Sequence, residues 1–173
     1  MMKGTKQLPR IEDVWPDPAG MAVKIVWQRK ARKPDYVVLL GWIASGGELL
    51  ASLRNAATFA TAKVINYGGA IGWADNDDLT IDAVHLAKLA DEQRAFTDGD
   101  LRHWQEFVKL SNAEASALFD VSMSTWSAYR SGETEVPKAI AMLARALARD
   151  PIIMQAHLRP SKAAGRPRKQ AEG

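Results

Sequence analysis

The residues whose types and spacing offer the clearest chemistry lie between 110 and 132, in the stretch LSNAEASALFDVSMSTWSAYRSG. They read as a short helix, a tight turn, a second helix and a glycine stop. Two helices joined in this way form a helix-turn-helix, in which the first braces the second against the major groove of duplex DNA. The chemistry on offer is recognition rather than bond making.

Catalytic or metal chemistry finds little footing. His85, His103 and His157 are scattered singly, and Asp75, Asp77 and Asp78 form a cluster with no histidine at metal-ligand spacing, so they read as a solvated turn. No phosphate-cradling glycine loop and no nucleophile elbow is present. The chain has no cysteine, which excludes disulfides and thiolate metal sites and suits a reducing cytoplasm. The expectation is a cytoplasmic protein that is not an enzyme and needs no cofactor or metal.

Charge is unevenly placed. Residues 1–100 carry 12 Lys and Arg against 13 Asp and Glu, residues 101–156 carry 6 against 6, and residues 157–173 carry 5 against 1. The basic excess therefore sits in the tail and not on the candidate reading head. Phosphate binding normally draws on concentrated cations, so one isolated neutral head should bind DNA weakly. A homodimer and the tail are the natural sources of extra affinity. At 173 residues, with 47% hydrophobic and 25% charged residues, the chain has room for one ordinary domain or two small ones. No apolar run reaches the ~18 residues a membrane span needs, and the opening MMKGTKQLPR lacks the apolar core of a signal peptide.

The elements that must position the head come next. Residues 8 to 75 read as β-rich with short helices. Strands are expected at Ile11 to Trp15, closed by a Pro16-Asp17-Pro18 turn, and at Met21 to Trp27, with Met21, Val23, Ile25 and Trp27 on one face. A basic loop, 28–34, leads into a strand from Tyr36 to Leu40. Short helices are expected at Glu48 to Leu53 and Ala56 to Phe59, then a hairpin about Tyr67-Gly68-Gly69 and a turn at Asn76-Asp77-Asp78. Thr80 reads as the N-cap of a helix reaching about Arg94. Beyond it the pattern is wholly helical: a helix capped by Thr97 or Asp98 and running to Lys109, then helices near 112–119 and 123–131, then one from Pro137 to Arg149 that Pro151 stops. The resulting organisation is an α+β domain over 8–92, an all-α domain over 97–158 and a basic tail over 159–173.

The head resembles the Cro and phage-repressor helix-turn-helix superfamily, also called the Xre family, whose members typically read L-S-Q-x-E-A-A-x-x-L-G-V-S-x-x-T-I-S-x-W-E-x-G and then a proline. The matching residues are Leu110, Ser111, Glu114, Ala115, Val121, Ser122, Thr125, Ser127, an aromatic Tyr129 in place of tryptophan, Gly132 and Pro137. Asn112 stands where glutamine is usual, Asp120 replaces the turn glycine and Arg130 replaces a glutamate. The resemblance implies a lambda-repressor-like domain that binds double-stranded DNA as a dimer. It also implies that Met123, Ser124, Ser127 and Ala128 face the groove while Trp126 and Tyr129 point inward. Ser111, Asn112, Ser122, Arg130 and Lys138 are then placed to meet phosphates or nearby bases. With no Arg, Gln or Asn at a groove-facing position, strong bidentate base contacts are not available there. The alternative is a helix bundle that mimics this pattern and serves protein contacts.

Gly165-Arg166-Pro167-Arg168-Lys169 resembles the core of an AT-hook, which implies contact of Arg166, Arg168 and Lys169 with a narrow minor groove. A plain solvated tail is the alternative. Residues 8 to 92 resemble the bacterial domain-of-unknown-function family twenty-four forty-two, a small α+β domain. The likeness rests on LPRIEDVWP, the run from Gly41 to Val64, Gly69 to Trp73 and the stretch 78–83. Members often carry an appended helix-turn-helix, but the family brings no established activity. Trp15, Trp27, Trp42 and Trp73 read as core and interface, with a ligand pocket as the alternative. The functional expectation is a transcriptional regulator. A narrower one is the antitoxin of a toxin–antitoxin pair, with a toxin as protein partner of the first domain. The competing class is a protein-interaction module that does not bind DNA.

Overall fold

The computed structural model describes residues 8–28 and 33–160, and the chain falls into two compact units divided after Arg94. The architecture is mixed α/β. Among the described residues there are two three-stranded antiparallel sheets and eight α-helices, none of them long and apolar enough to cross a membrane.

In the first unit, β1 (Ile11–Asp17), β2 (Ala22–Trp27) and β3 (Asp35–Val38) form one sheet in that order. Val14 pairs with Ile25, and Val23 with Val37. These four side chains are buried, whereas Lys24 between them is exposed, the two-residue alternation of a half-buried strand. β1 runs two residues further than expected. Pro16 stays in the ladder opposite Val23 because β1 is an edge strand, where a missing N–H costs little.

The strand expected from Tyr36 to Leu40 stops at Val38, and Leu40–Ser45 is a helix, α1. Leu39 and Ile43 bury one helical turn apart while Leu40 is left exposed, so burial switches from period two to period four at this point. The helix expected at Glu48 to Leu53 is only a 3-10 turn at Ala51–Arg54. α2 (Ala56–Phe59) follows, with the Asn55 carboxamide oxygen accepting from the N–H groups of Ala57 and Thr58.

β4 (Lys63–Ile65), β5 (Ala70–Trp73) and β6 (Asn76–Asp82) form the second sheet. In the β4–β5 connection Asn66, Tyr67 and Gly68 all take positive φ, and a Cβ on Gly68 would lie 2.4 Å from the Ile11 carbonyl oxygen. Only glycine fits there. The turn expected at residues 76–78 is strand instead, and the reversal falls on Ala74 and Asp75, with φ of 53° and 50°. Two successive positive φ values are what a two-residue hairpin turn requires. Thr80 pairs with Gly72 inside β6 and caps nothing; the N-cap of α3 (Ala83–Gln93) is Asp82, whose carboxylate accepts from His85 N–H at 2.9 Å. Trp27 and Trp73 are core, and Trp42 packs against that core 5.9 Å from the Trp73 ring. Trp15 is exposed.

The second unit contains α4 (Asp98–Val108), α5 (Asn112–Leu118), α6 (Met123–Ser131), α7 (Lys138–Arg149) and α8 (Pro151–His157). Thr97 caps α4 in a reciprocal box with Asp100. Pro151 ends one helix by opening another, since the first turn tolerates its missing N–H. The core is built on Leu101, Trp104, Ala115, Phe119, Trp126 and Leu147. Phe119 lies 5.1 Å from both Trp104 and Trp126, centroid to centroid, edge-on to the first and tilted to the second.

Candidate nucleic-acid interface

The candidate surface is built on α5, α6 and the turn between them. Ser111 caps α5: its hydroxyl accepts from Glu114 N–H at 3.2 Å and donates to Glu114 Oε2 at 2.7 Å. Ala115, fully buried, leaves α5 no side-chain bulk where it packs into the core. After Phe119 the chain reverses at Asp120, which takes the left-handed conformation at φ 53°. Aspartate tolerates that region better than most residues, so it can stand in for glycine. Ser122 then caps α6, accepting from Thr125 N–H at 3.0 Å. Gly132, at φ 78°, ends it.

Burial divides α6 cleanly. Trp126 and Tyr129 are buried, whereas Ser122, Met123, Ser124 and Ser127 are exposed and Ala128 is half-buried. With Ser131 one turn beyond Ser127, the exposed side carries four hydroxyls, a thioether and no carboxylate. Met123 is held by its sulfur, which accepts from the Ser116 hydroxyl at 3.3 Å. The Ser122 and Ser124 hydroxyls lie 2.9 Å apart and share a hydrogen bond.

What fixes α6 is a polar network around Gln105, a residue that pattern reasoning passed over. Gln105 is buried in α4. Its Oε1 accepts from Trp126 Nε1–H at 3.0 Å, and its Nε2 donates to the Leu110 carbonyl and to Asn112 Oδ1, each at 2.9 Å. Asn112 Oδ1 also accepts from an Arg130 guanidinium N–H at 3.1 Å. The structure thus brings Asn112 and Arg130 together and uses the Asn112 acceptor internally. Arg130 Nε is buried without a partner among the described residues. The signal for Gln105 lay in its spacing: with Leu101 four residues before it, a polar side chain occupies an inward position and must be satisfied there.

A second anchor was equally absent from the sequence reading. Arg102 of α4 donates to Asp98 Oδ2 at 2.6 Å and, through the same nitrogen, to the Arg130 carbonyl near the end of α6. The Arg102 guanidinium holds the Asp98 carboxyl below the usual carboxylate range. A Cβ on Gly132 would stand 3.4 Å from the Asp98 carboxyl carbon, an ordinary contact, so it is the left-handed stop that favours glycine there.

Lys138 is exposed at the first position of α7. Arg166, Arg168 and Lys169 lie outside the described residues. No group of three or more His, Asp or Glu able to hold a metal ion occurs among the described residues.

No family model and no curated protein matches the chain. Among solved structures, that of a "putative DNA binding protein" from Nitrosomonas europaea is similar at a TM-score of 0.42 and 17% identity, over 82% of this chain and 87% of that one. At that TM-score the likeness carries no argument about fold or function.

Proposed function

We propose that residues 97–158 form a lambda-repressor-like helix-turn-helix of the Xre and Cro type, and that the chain is a DNA-binding transcriptional regulator rather than an enzyme. One observation carries this reading: Trp126 and Tyr129 anchor α6 in the core while Met123, Ser124 and Ser127 are exposed on its outer side. An α-helix with its side chains is about 10–12 Å across, which a major groove about 12 Å wide admits. The contacts of α6 there are modest. Met123 and Ala128 offer apolar surface to thymine methyl groups, and the serines offer hydroxyls that bond several bases. Asn112, Arg130 and Lys138 are the phosphate-facing candidates.

Six cations against six anions over residues 101–156 leave the head neutral. One copy should then release few counterions and bind weakly. A homodimer reading two half-sites about one helical turn, roughly 10 bp, apart would supply the missing affinity through avidity. The basic tail, with Arg166, Arg168 and Lys169, adds a sequence-tolerant contact. The first unit is left for assembly or a protein partner.

The test is selection of duplexes from a random pool by the full chain, followed by gel shift at low and moderate salt. Enrichment of a two-fold-related site whose affinity falls steeply with salt is the expected result. A chain that retards no duplex even at low salt would assign the α6 face to a protein partner.

A further inference from the structure

Met123 is the one large apolar side chain on the outer side of α6, and it is 50% exposed. It is the first residue of the helix, at the end that a helix-turn-helix directs to base edges. Ser122 and Ser124 flank it and Ser127 follows one turn on, all three exposed. The single charged residue of α6, Arg130, stands in the last turn and donates to Asn112.

The thioether is braced. Met123 Sδ lies 3.3 Å from the hydroxyl of Ser116, a buried residue of α5 whose oxygen is also 3.1 Å from the Ala113 carbonyl oxygen. Methionine is ordinarily a flexible group. A sulfur set against the neighbouring helix leaves only the terminal methyl to turn, so less freedom is lost when that end is covered.

Exposed apolar surface is complemented by apolar surface. The major-groove edges of the four base pairs present hydrogen-bonding groups everywhere except at one place, the C5-methyl of thymine. Met123 therefore has one complement there. 5-Methylcytosine carries the same methyl at the same ring position. Beside that methyl the two bases differ, thymine with an O4 acceptor and cytosine with an N4 donor. The serine hydroxyls both donate and accept, so they answer either group. α6 has no carboxylate or carboxamide to impose a single pattern.

We propose that Met123 is a specificity-determining residue that reads the C5-methyl group of a pyrimidine in the major groove. The head then accepts 5-methylcytosine where it accepts thymine, and it discriminates against uracil and unmethylated cytosine. This rests on the DNA-binding reading of α6 and adds to it a response to cytosine methylation.

Duplexes selected by the full chain are the probes, in fluorescence anisotropy titrations. Each thymine of a half-site is replaced in turn by uracil. At the position that responds, the pair is then replaced by cytosine–guanine and by 5-methylcytosine–guanine. One covered methyl is worth about fourfold in affinity. Thymine should bind about fourfold tighter than uracil, and 5-methylcytosine about fourfold tighter than cytosine. Met123→Ala shortens the side chain at an exposed helix position that suits alanine, and Met123→Gln keeps its length. Both variants should bring the two ratios close to unity. Equal binding of thymine and uracil duplexes at every position would overturn the proposal and leave α6 a DNA reader. So would a gain from the methyl in only one of the two pairs, or ratios that survive in both variants. A chain that retards no duplex ends the DNA reading itself and this inference with it, so the two failures are told apart.

Discussion

Trp126 Nε1 donates to Gln105 Oε1 at 3.0 Å inside the second unit, where the Trp126 side chain is wholly buried and Gln105 nearly so. Because the other end of the same carboxamide holds the Leu110 carbonyl and Asn112 Oδ1, one side chain sets α6 against α4 and the start of α5. Gln105→Leu keeps similar bulk but leaves an indole N–H and a carbonyl without partners. Each buried unpaired group costs about 1–3 kcal/mol, so the variant should lose about 2–4 kcal/mol in chemical denaturation followed by tryptophan fluorescence. An unchanged midpoint would mean that the network is dispensable.

Ser124 is exposed on the outer side of α6 and caps nothing. Ser124→Glu should therefore leave the denaturation midpoint within about 0.5 kcal/mol of the parent, as surface changes do. Under the proposed function it should abolish gel-shift activity by bringing a carboxylate against phosphates and base edges. Full retention of DNA affinity would remove α6 from the groove.

Lys138→Ala tests the edge of the same surface. A phosphate contact should weaken binding by similar factors on matched and mismatched duplexes and lower the salt slope by about one. A sequence-dependent loss would instead give Lys138 a role at base edges.

The Asp98–Arg102 pair predicts an acid sensitivity of known sign. Arg102 lowers the Asp98 pKa, so the stabilisation is complete above the ordinary carboxylate range and is lost as pH falls into and below it. Comparing denaturation near neutrality with denaturation at about pH 3, Asp98→Asn should show a smaller acid loss than the parent. An equal loss would assign the acid response to other carboxylates.

Asp17 and Tyr36 give a second signature. The hydrogen bond to the Asp17 carboxylate raises the Tyr36 pKa above its ordinary value and lowers that of Asp17. The raised phenol stabilises the fold below its ordinary titration range, and that contribution fades as pH climbs through the shifted one. Asp17→Asn should bring the Tyr36 titration back toward the ordinary tyrosine value, read from its ring carbon resonances so that the other two tyrosines do not interfere. No movement would mean that the two groups are not coupled in solution.

The helices of the second unit were legible at close range because their boundaries are local events. Thr97, Ser122 and Gly132 satisfy or release backbone groups within a few residues of themselves, so spacing along the chain is enough to find them. The inward turn of Trp126 and Tyr129 followed from the resemblance to the repressor helix-turn-helix, and both side chains are buried. In the first unit, Thr80 offered an equally good local cap, yet pairing with Gly72 claimed it for β6 and left Asp82 as the cap. Tyr36 to Leu40 looked continuous as a strand until Leu39 and Ile43 found the core together as the start of a helix.

Taken alone, the sequence determined the caps at Thr97 and Ser122, the stop at Gly132 and the apolar periodicities of the second unit, since each is decided by groups that meet within a turn or two of backbone. The partners of Gln105, the reach of Arg102 to the Arg130 carbonyl and the turn at Ala74-Asp75 were decided only by tertiary structure. Those outcomes depend on which distant backbone arrives to bury or satisfy a given group, and closing chain over such separations is a competition that no local pattern encodes.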